Sequence, residues 1–399
     1  MTKALHYSLV IGLFSILLAS GITAGIAALP EQVPNVARFV TSTTDSTVLD
    51  VYESKGCSVK YIFKEMSALD CPPAIGRLMG LQEDIRVFAV DVVANDQVKA
   101  TEVQATGLSG SGVTVAVLDT GVDSTHLDLV SSVVDGKSFV SYTTSFNDDV
   151  GHGTFVSGLI TSDGIVDSAS LGSAPDAQIW VGKVLGPNGG LLSDTVAAIN
   201  YVVDNDKADI ISMSLGTSFP NLYKGKNCDK VYPAMTSAIK NANANGVTVI
   251  AAAGNDGTLG VGLPGCITDV ITVGAIDSID DPADFTSAGR SVDVAALGVD
   301  DYSTMNGGVY GTGSGTSFST PVVAGVVALM IEDDSTLSPK QIQEALRNTA
   351  VDVGKDGFDS ATGYGKVDAV AAINYSPTSG GDGGSEPKCN KGMQKRGLC

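Results

Sequence analysis

A serine hydroxyl becomes a useful nucleophile only when a base can take its proton and a carboxylate holds that base in the right tautomer. This 399-residue chain has just three histidines to offer as bases. His6 lies at the N-terminal apolar run, which leaves His152 and His126. His152 stands in Gly151-His152-Gly153-Thr154, between glycines that permit close approach and directly before a helical segment. His126 stands in the polar turn Asp123 to Asp128, where a surface histidine is the ordinary reading. Ser317, in Gly313-Ser314-Gly315-Thr316-Ser317-Phe318-Ser319-Thr320-Pro321, precedes an apolar run from Val322 to Ile331, so it should sit where a tight turn enters a buried helix. Helix N-termini present unpaired N–H groups and a positive dipole end, which suits an oxyanion forming beside such a serine. Asp119 closes a β-branched run and is a candidate carboxylate, because a charge at the end of a buried strand needs a partner. Asn255, in Ala251-Ala252-Ala253-Gly254-Asn255-Asp256-Gly257, can offer a side-chain amide as a second oxyanion donor. Each residue also has a plainer reading: a loop cap for the serine cluster, an aspartate satisfied by backbone N–H groups, a turn asparagine.

The elements that would position these side chains follow an alternating order. Val113 to Leu118, Gln178 to Leu185, Asp209 to Met213, Val247 to Ala252 and Val270 to Ile276 read as strands buried on both faces. Helical segments at Thr154 to Ile160, Asp194 to Val203, Tyr232 to Ala244 and Ser317 to Ile331 separate them. The fold class is therefore α/β, a parallel β-sheet flanked by helices on both faces, with functional groups at the C-terminal strand ends. Asp119 and Gly254-Asn255 lie at two such ends. Ser338-Pro339-Lys340-Gln341 reads as a capping box opening a helix to about Asn348, and a last helix spans about Lys366 to Ile373. Ahead of this region, residues 29–98 form a small α+β unit with strands at Val36 to Val40, Ser58 to Phe63 and Arg86 to Val93 around a helix at Pro73 to Met79.

Composition narrows the class. Hydrophobic residues at 43% and charged residues at 17% describe a chain with a real core. A formal net charge of -20 argues against a nucleic-acid partner held through phosphates. Residues 1–28 carry Lys3, an uncharged apolar run and then small residues, as a secretory signal does; an uncleaved membrane anchor is the second reading. The six cysteines fall into sequence-local pairs, Cys57 with Cys71, Cys228 with Cys266 and Cys389 with Cys399, although other pairings are open. Residues 377–399 form a Gly/Ser linker and a basic tail. Gly260 to Gly265 matches G-x-G-x-x-G, but Pro264 and a following strand leave no helix N-terminus for a pyrophosphate.

The strings Asp119-Thr120-Gly121-Val122-Asp123, Gly151-His152-Gly153-Thr154, Ser214-Leu215-Gly216, Ala251 to Asn255 and Gly315 to Pro321, in that order, closely resemble the subtilisin-like serine proteases over roughly residues 100–375. Residues 29–98 resemble, more loosely, the inhibitor-like propeptide of that family. The resemblance implies that Asp119 orients His152, that His152 is general base and then acid, that Ser317 is the nucleophile, and that Asn255 and the Ser317 N–H hold the oxyanion. It implies that Ser214-Leu215-Gly216 and Gly189-Gly190-Leu191 flank an extended polypeptide substrate, and that Ala252, Ala253 and Gly254 line the pocket for the residue before the scissile bond. No cofactor is expected for catalysis, and structural calcium is implied at Asp128, with Asp163 and Asp167 in the loop that supplies other ligands. Phe155, where the family's motif commonly continues with histidine, is a departure. The expected product is a secreted, monomeric serine endopeptidase made as a preproenzyme: signal 1–28, propeptide 29–98 acting as chaperone and inhibitor, catalytic domain 99–376, processed within about residues 91–100. A catalytically silent surface binding module of the same fold is the alternative.

Overall fold

The computed structural model describes residues 37–62, 67–83, 94–217 and 227–376. The chain divides into two compact units, Met1–Ala89 and Val90–Cys399. The signal segment, the expected strand at Arg86 to Val93 and the tail with Cys389 and Cys399 lie outside the described residues.

In the smaller unit, Ala37–Thr41, Ser58–Ile62, Ser67–Cys71 and Gln82–Glu83 form an antiparallel four-stranded sheet, with helices at Ser46–Glu53 and Pro73–Leu78. Three of these elements were not expected from sequence: the first helix and the strands Ser67–Cys71 and Gln82–Glu83. The first helix is rich in β-branched residues, yet Asp45 caps it by accepting from the Thr47 N–H. The strand Ser67–Cys71 has no alternation to announce it and is fixed by pairing on both sides. Phe39, Leu49 and Leu69 make the core beside the Cys57–Cys71 disulfide. Gly76 is required there, since a Cβ at that position would lie 2.3 Å from the Phe39 ring.

The larger unit is built on seven strands: β1 Thr114–Asp119, β2 Val133–Ser138, β3 Gln178–Lys183, β4 Ile210–Met213, β5 Thr248–Ala252, β6 Ile271–Ile276 and β7 Val294–Leu297. Their order is β7-β6-β5-β4-β1-β3-β2, and every adjacent pair runs parallel. Alternate residues feed two separate cores. Val115, Val117, Ile179, Val181 and Ile250 face α1 His152–Thr161 and α4 Thr316–Asp333. Ala116, Leu118, Trp180, Ile211 and Ala251 face α2 Leu192–Asp204 and α3 Pro233–Ala244. This two-sided burial explains the near-continuous apolar strands. Residues Asp301–Met305 (β8) and Val309–Gly313 (β9) form an antiparallel hairpin leading into α4, and α5 Pro339–Thr349 opens with the expected capping box.

Candidate active site

Asp119, the last residue of β1, is 1% exposed. Its Oδ1 accepts from the Thr120 N–H at 2.7 Å and from His152 Nδ1 at 2.7 Å, while Oδ2 is buried with no hydrogen-bond partner. With Nδ1 donating, the neutral ring presents Nε2 as an acceptor, the tautomer a general base needs. Burial alone would lower the pKa of His152, but the Asp119 carboxylate and, further off, Asp148 outweigh it and hold the imidazole above its usual value.

The glycines around His152 are structural requirements. Gly151 caps α1 with φ 107°, in the region that favours glycine. A Cβ on Gly153 would lie 2.0 Å from the Gly121 carbonyl oxygen, so the helix start can pack on the turn after β1 only with glycine there. That close approach also lets the Gly153 N–H donate to Thr120 Oγ1 at 2.8 Å.

Ser317 is the second residue of α4, among the first four N–H groups that have no partner within the helix. Pro321, four residues on, has no N–H to bond the Ser317 carbonyl, and Ser214 takes that acceptor with its hydroxyl at 2.7 Å. In return the Ser317 hydroxyl donates to the Ser214 carbonyl at 3.2 Å, so its resting partner is the end of β4. To give its proton to His152, the hydroxyl would have to turn toward Nε2. Asn255 Oδ1 accepts from the Thr316 N–H at 2.9 Å and from its hydroxyl at 3.0 Å, which aims Nδ2 the other way. A Cβ on Gly315 would lie 3.1 Å from Asn255 Nδ2 and 3.7 Å from the Ser317 nitrogen. Glycine thus leaves open the space between two donors where an oxyanion can form.

His152, Asn255 and Ser317 line one cleft of about 730 Å³. Gly189, Gly190 and Leu191, Ser214, Leu215 and Gly216, and Ala252, Ala253 and Gly254 line the same cleft. Asp119 stands behind His152, off the cleft surface. The structure therefore brings every residue singled out for catalysis and substrate binding to one place. It adds some that the motifs did not single out: Thr316, which orients Asn255; Thr120 and Asp148, which join β1 to α1; and Phe318, whose ring lies 5.7 Å from that of His152 and 4.5 Å from that of Phe155. Thr120 and Thr316 sit inside recognised strings, but the Asp148 contacts with Thr120 and Asn306 follow no local pattern.

His126 is not a surface residue. It is 1% exposed, its Nε2–H donates to the Val309 carbonyl at 3.2 Å, and its Nδ1 accepts from the Asp128 N–H at 3.3 Å. The turn is polar, but the β8–β9 hairpin covers it, and Tyr310 packs edge-on against the ring. Both nitrogens are occupied away from the cleft.

Asp128 is also buried and accepts four bonds: the Tyr310 hydroxyl at 2.7 Å, the Val166 N–H at 2.8 Å, and the Asp167 N–H and Ser170 hydroxyl at 3.2 Å each. Burial would raise its pKa, but these donors together hold it below the ordinary carboxylate value. Asp167 is occupied by the Tyr302 hydroxyl and the Ala169 N–H, and Asp163 by the Ser131 hydroxyl and the Ile165 N–H. Calcium needs converging oxygen acceptors, whereas donors surround Asp128, and among the described residues no three acidic, histidine or cysteine side chains are placed to hold a metal ion together. These residues do not fit the ion as they stand. The disulfides Cys57–Cys71 and Cys228–Cys266 are formed.

A sequence profile described as the subtilase family matches residues 110–365. Subtilisin E of Bacillus subtilis (strain 168) is 35% identical over 336 residues, covering 79% of this chain and 83% of its own. Subtilisin DY of Bacillus licheniformis is 38% identical over 281 residues, 69% of this chain and 96% of its own. Alkaline elastase YaB of Bacillus sp. (strain YaB) is 36% identical over 319 residues, 79% of this chain and 78% of its own.

Proposed function

The chain belongs to the subtilase family and is a serine endopeptidase, and from that premise we propose that it is an exported enzyme, made as a preproenzyme, that cuts polypeptides through an acyl-enzyme on Ser317. His152 takes the Ser317 proton as the hydroxyl attacks the scissile carbonyl, then gives it to the leaving amine. Asp119 fixes the ring and stabilises the imidazolium, and Asn255 Nδ2 with the Ser317 N–H receives the oxyanion. The substrate lies extended between Gly189–Leu191 and Ser214–Gly216 as an added strand. The small apolar wall Ala252–Gly254 favours large apolar side chains before the scissile bond. Residues 1–28 serve as the signal, residues 29–98 as a folding aid and inhibitor removed at maturation, and residues 99–376 as the catalytic domain. The carrying observation is the 2.7 Å Asp119–His152 contact in one cleft with Ser317 at a helix N-terminus.

The test is hydrolysis of a chromogenic peptide by secreted enzyme freed of its pro-segment. Activity in the wild type and its loss in Ser317→Ala support the reading; an inactive wild type returns the chain to the silent binding module.

A further inference from the structure

Asp148 lies four residues before His152, half-buried, and takes no part in the reaction as derived above. Its carboxylate nevertheless joins the two elements that carry Asp119 and His152. Oδ1 accepts from the Thr120 hydroxyl at 2.9 Å, the Val150 N–H at 3.0 Å and the Gly151 N–H at 2.8 Å. Oδ2 accepts from the Thr154 N–H at 2.9 Å and lies 2.7 Å from the Thr154 hydroxyl. The capping residue of α1 is Gly151, which has no side chain to satisfy the first turn, so Asp148 does so from outside the helix. Thr120 completes the circuit by accepting from the Gly153 N–H. Asn306, from the β8–β9 turn, closes it on the outer side: its Nδ2–H donates to the Asp148 carbonyl at 3.2 Å, and its Oδ1 lies 2.6 Å from Thr154 Oγ1.

We propose that Asp148 is a positioning residue for His152, fixing the start of α1 against the end of β1 and adding a second negative charge to the field at the imidazole. The other charged groups around the ring leave that contribution visible. Asp119 on β1 contacts it directly. Lys183 on β3 is neutralised by Asp149 at 2.6 Å and bonds the Thr120 carbonyl. Asp123, after β1, accepts from Gly307 and Thr125. Phe318, which faces the ring from α4, is uncharged, and so is Asn306, which the hairpin brings to Asp148. Asp148 favours the protonated imidazole, so removing its charge makes His152 easier to deprotonate.

The experiment rests on the protease reading and carries its own check, because wild type is assayed in the same series. In Asp148→Asn the acid limb of kcat/KM should move to lower pH, and kcat should fall about tenfold because the start of α1 is less well held. A purely structural cap would cost melting temperature and kcat without moving the limb. An active wild type together with an unmoved limb in Asp148→Asn overturns the proposal and leaves the protease reading intact. If the Asn variant does not accumulate folded, Asp148→Glu, which keeps the charge but displaces the acceptors, should retain the wild-type limb with reduced kcat; a limb that shifts in Glu also overturns it.

Discussion

Gly153→Ala tests how tightly the two halves of the proton relay are packed. The new methyl would lie 2.0 Å from the Gly121 carbonyl oxygen and 3.1 Å from that residue's carbonyl carbon and nitrogen. Unstrained heavy-atom contacts lie near ~3.5 Å, so the two backbones must separate by more than about 1 Å. No side chain can rotate away, because the atoms met are all backbone. Gly121 is two residues past Asp119 and Gly153 is next to His152, so the separation falls on the 2.7 Å contact between them. A displacement of about 1 Å in a catalytic group costs on the order of 10²-fold in rate, about 2.7 kcal/mol in the barrier. Stability should suffer less, because the overpacking cost of about 1–3 kcal/mol is partly offset by the roughly 1 kcal/mol that alanine gains over glycine in a helix. The assay is steady-state hydrolysis normalised by fluorophosphonate titration, with a thermal melt to establish folding. A folded variant with kcat/KM within about threefold of wild type would refute the packing argument.

Other substitutions probe the rest of the site. Asn255→Ala should lower kcat by about 10²–10³-fold, the loss found for an oxyanion-hole asparagine of a subtilisin. Gly315→Ala should also lower kcat, by filling the space between the two donors, and an unchanged kcat would place the oxyanion elsewhere. Because the His152 pKa is raised and the neutral ring is the base, kcat/KM should fall as pH drops through a value above 6.5. The same shift makes the pair's contribution to stability fully present below 6.5 and lost as pH rises through the higher folded value. His126→Ala should destabilise the fold but leave the position of the acid limb unchanged; a moved limb would contradict the assignment of the base. Tyr310→Phe removes a donor to a charged carboxylate, a loss of about 1.5–3 kcal/mol, and should lower the melting temperature by about 5 °C. Chelator should leave the wild-type melt unchanged, and a fall reversed by calcium would show that the loop around Asp128 rearranges to hold the ion.

The central strands were legible because burial on both faces writes an unbroken apolar run, as in Val115 to Leu118. Edge strand Val133–Ser138 was not, because it is only partly buried and carries Asp135, Gly136 and Lys137. The short β7 and the β8–β9 hairpin are not announced in the sequence either, and the hairpin decides much around the site: it covers His126, bonds Asp128 through Tyr310 and reaches Thr154 through Asn306. His126 looked exposed because local polarity says nothing about what another segment lays over it. Asp119, His152, Asn255 and Ser317 announced themselves through glycines and strand ends, features a sequence displays directly. The connections of Asp148 depend on Thr120 and Asn306, far away in the chain, and exist only once the fold has brought them together.

The most direct measurement of the account is to treat the secreted, pro-segment-free enzyme with one equivalent of a fluorophosphonate and map the adduct by peptide mass spectrometry. The geometry predicts stoichiometric labelling on Ser317, complete loss of peptidase activity in step with labelling, and no adduct in His152→Ala. Labelling of a different serine, or full peptidase activity with Ser317 unmodified, would contradict it.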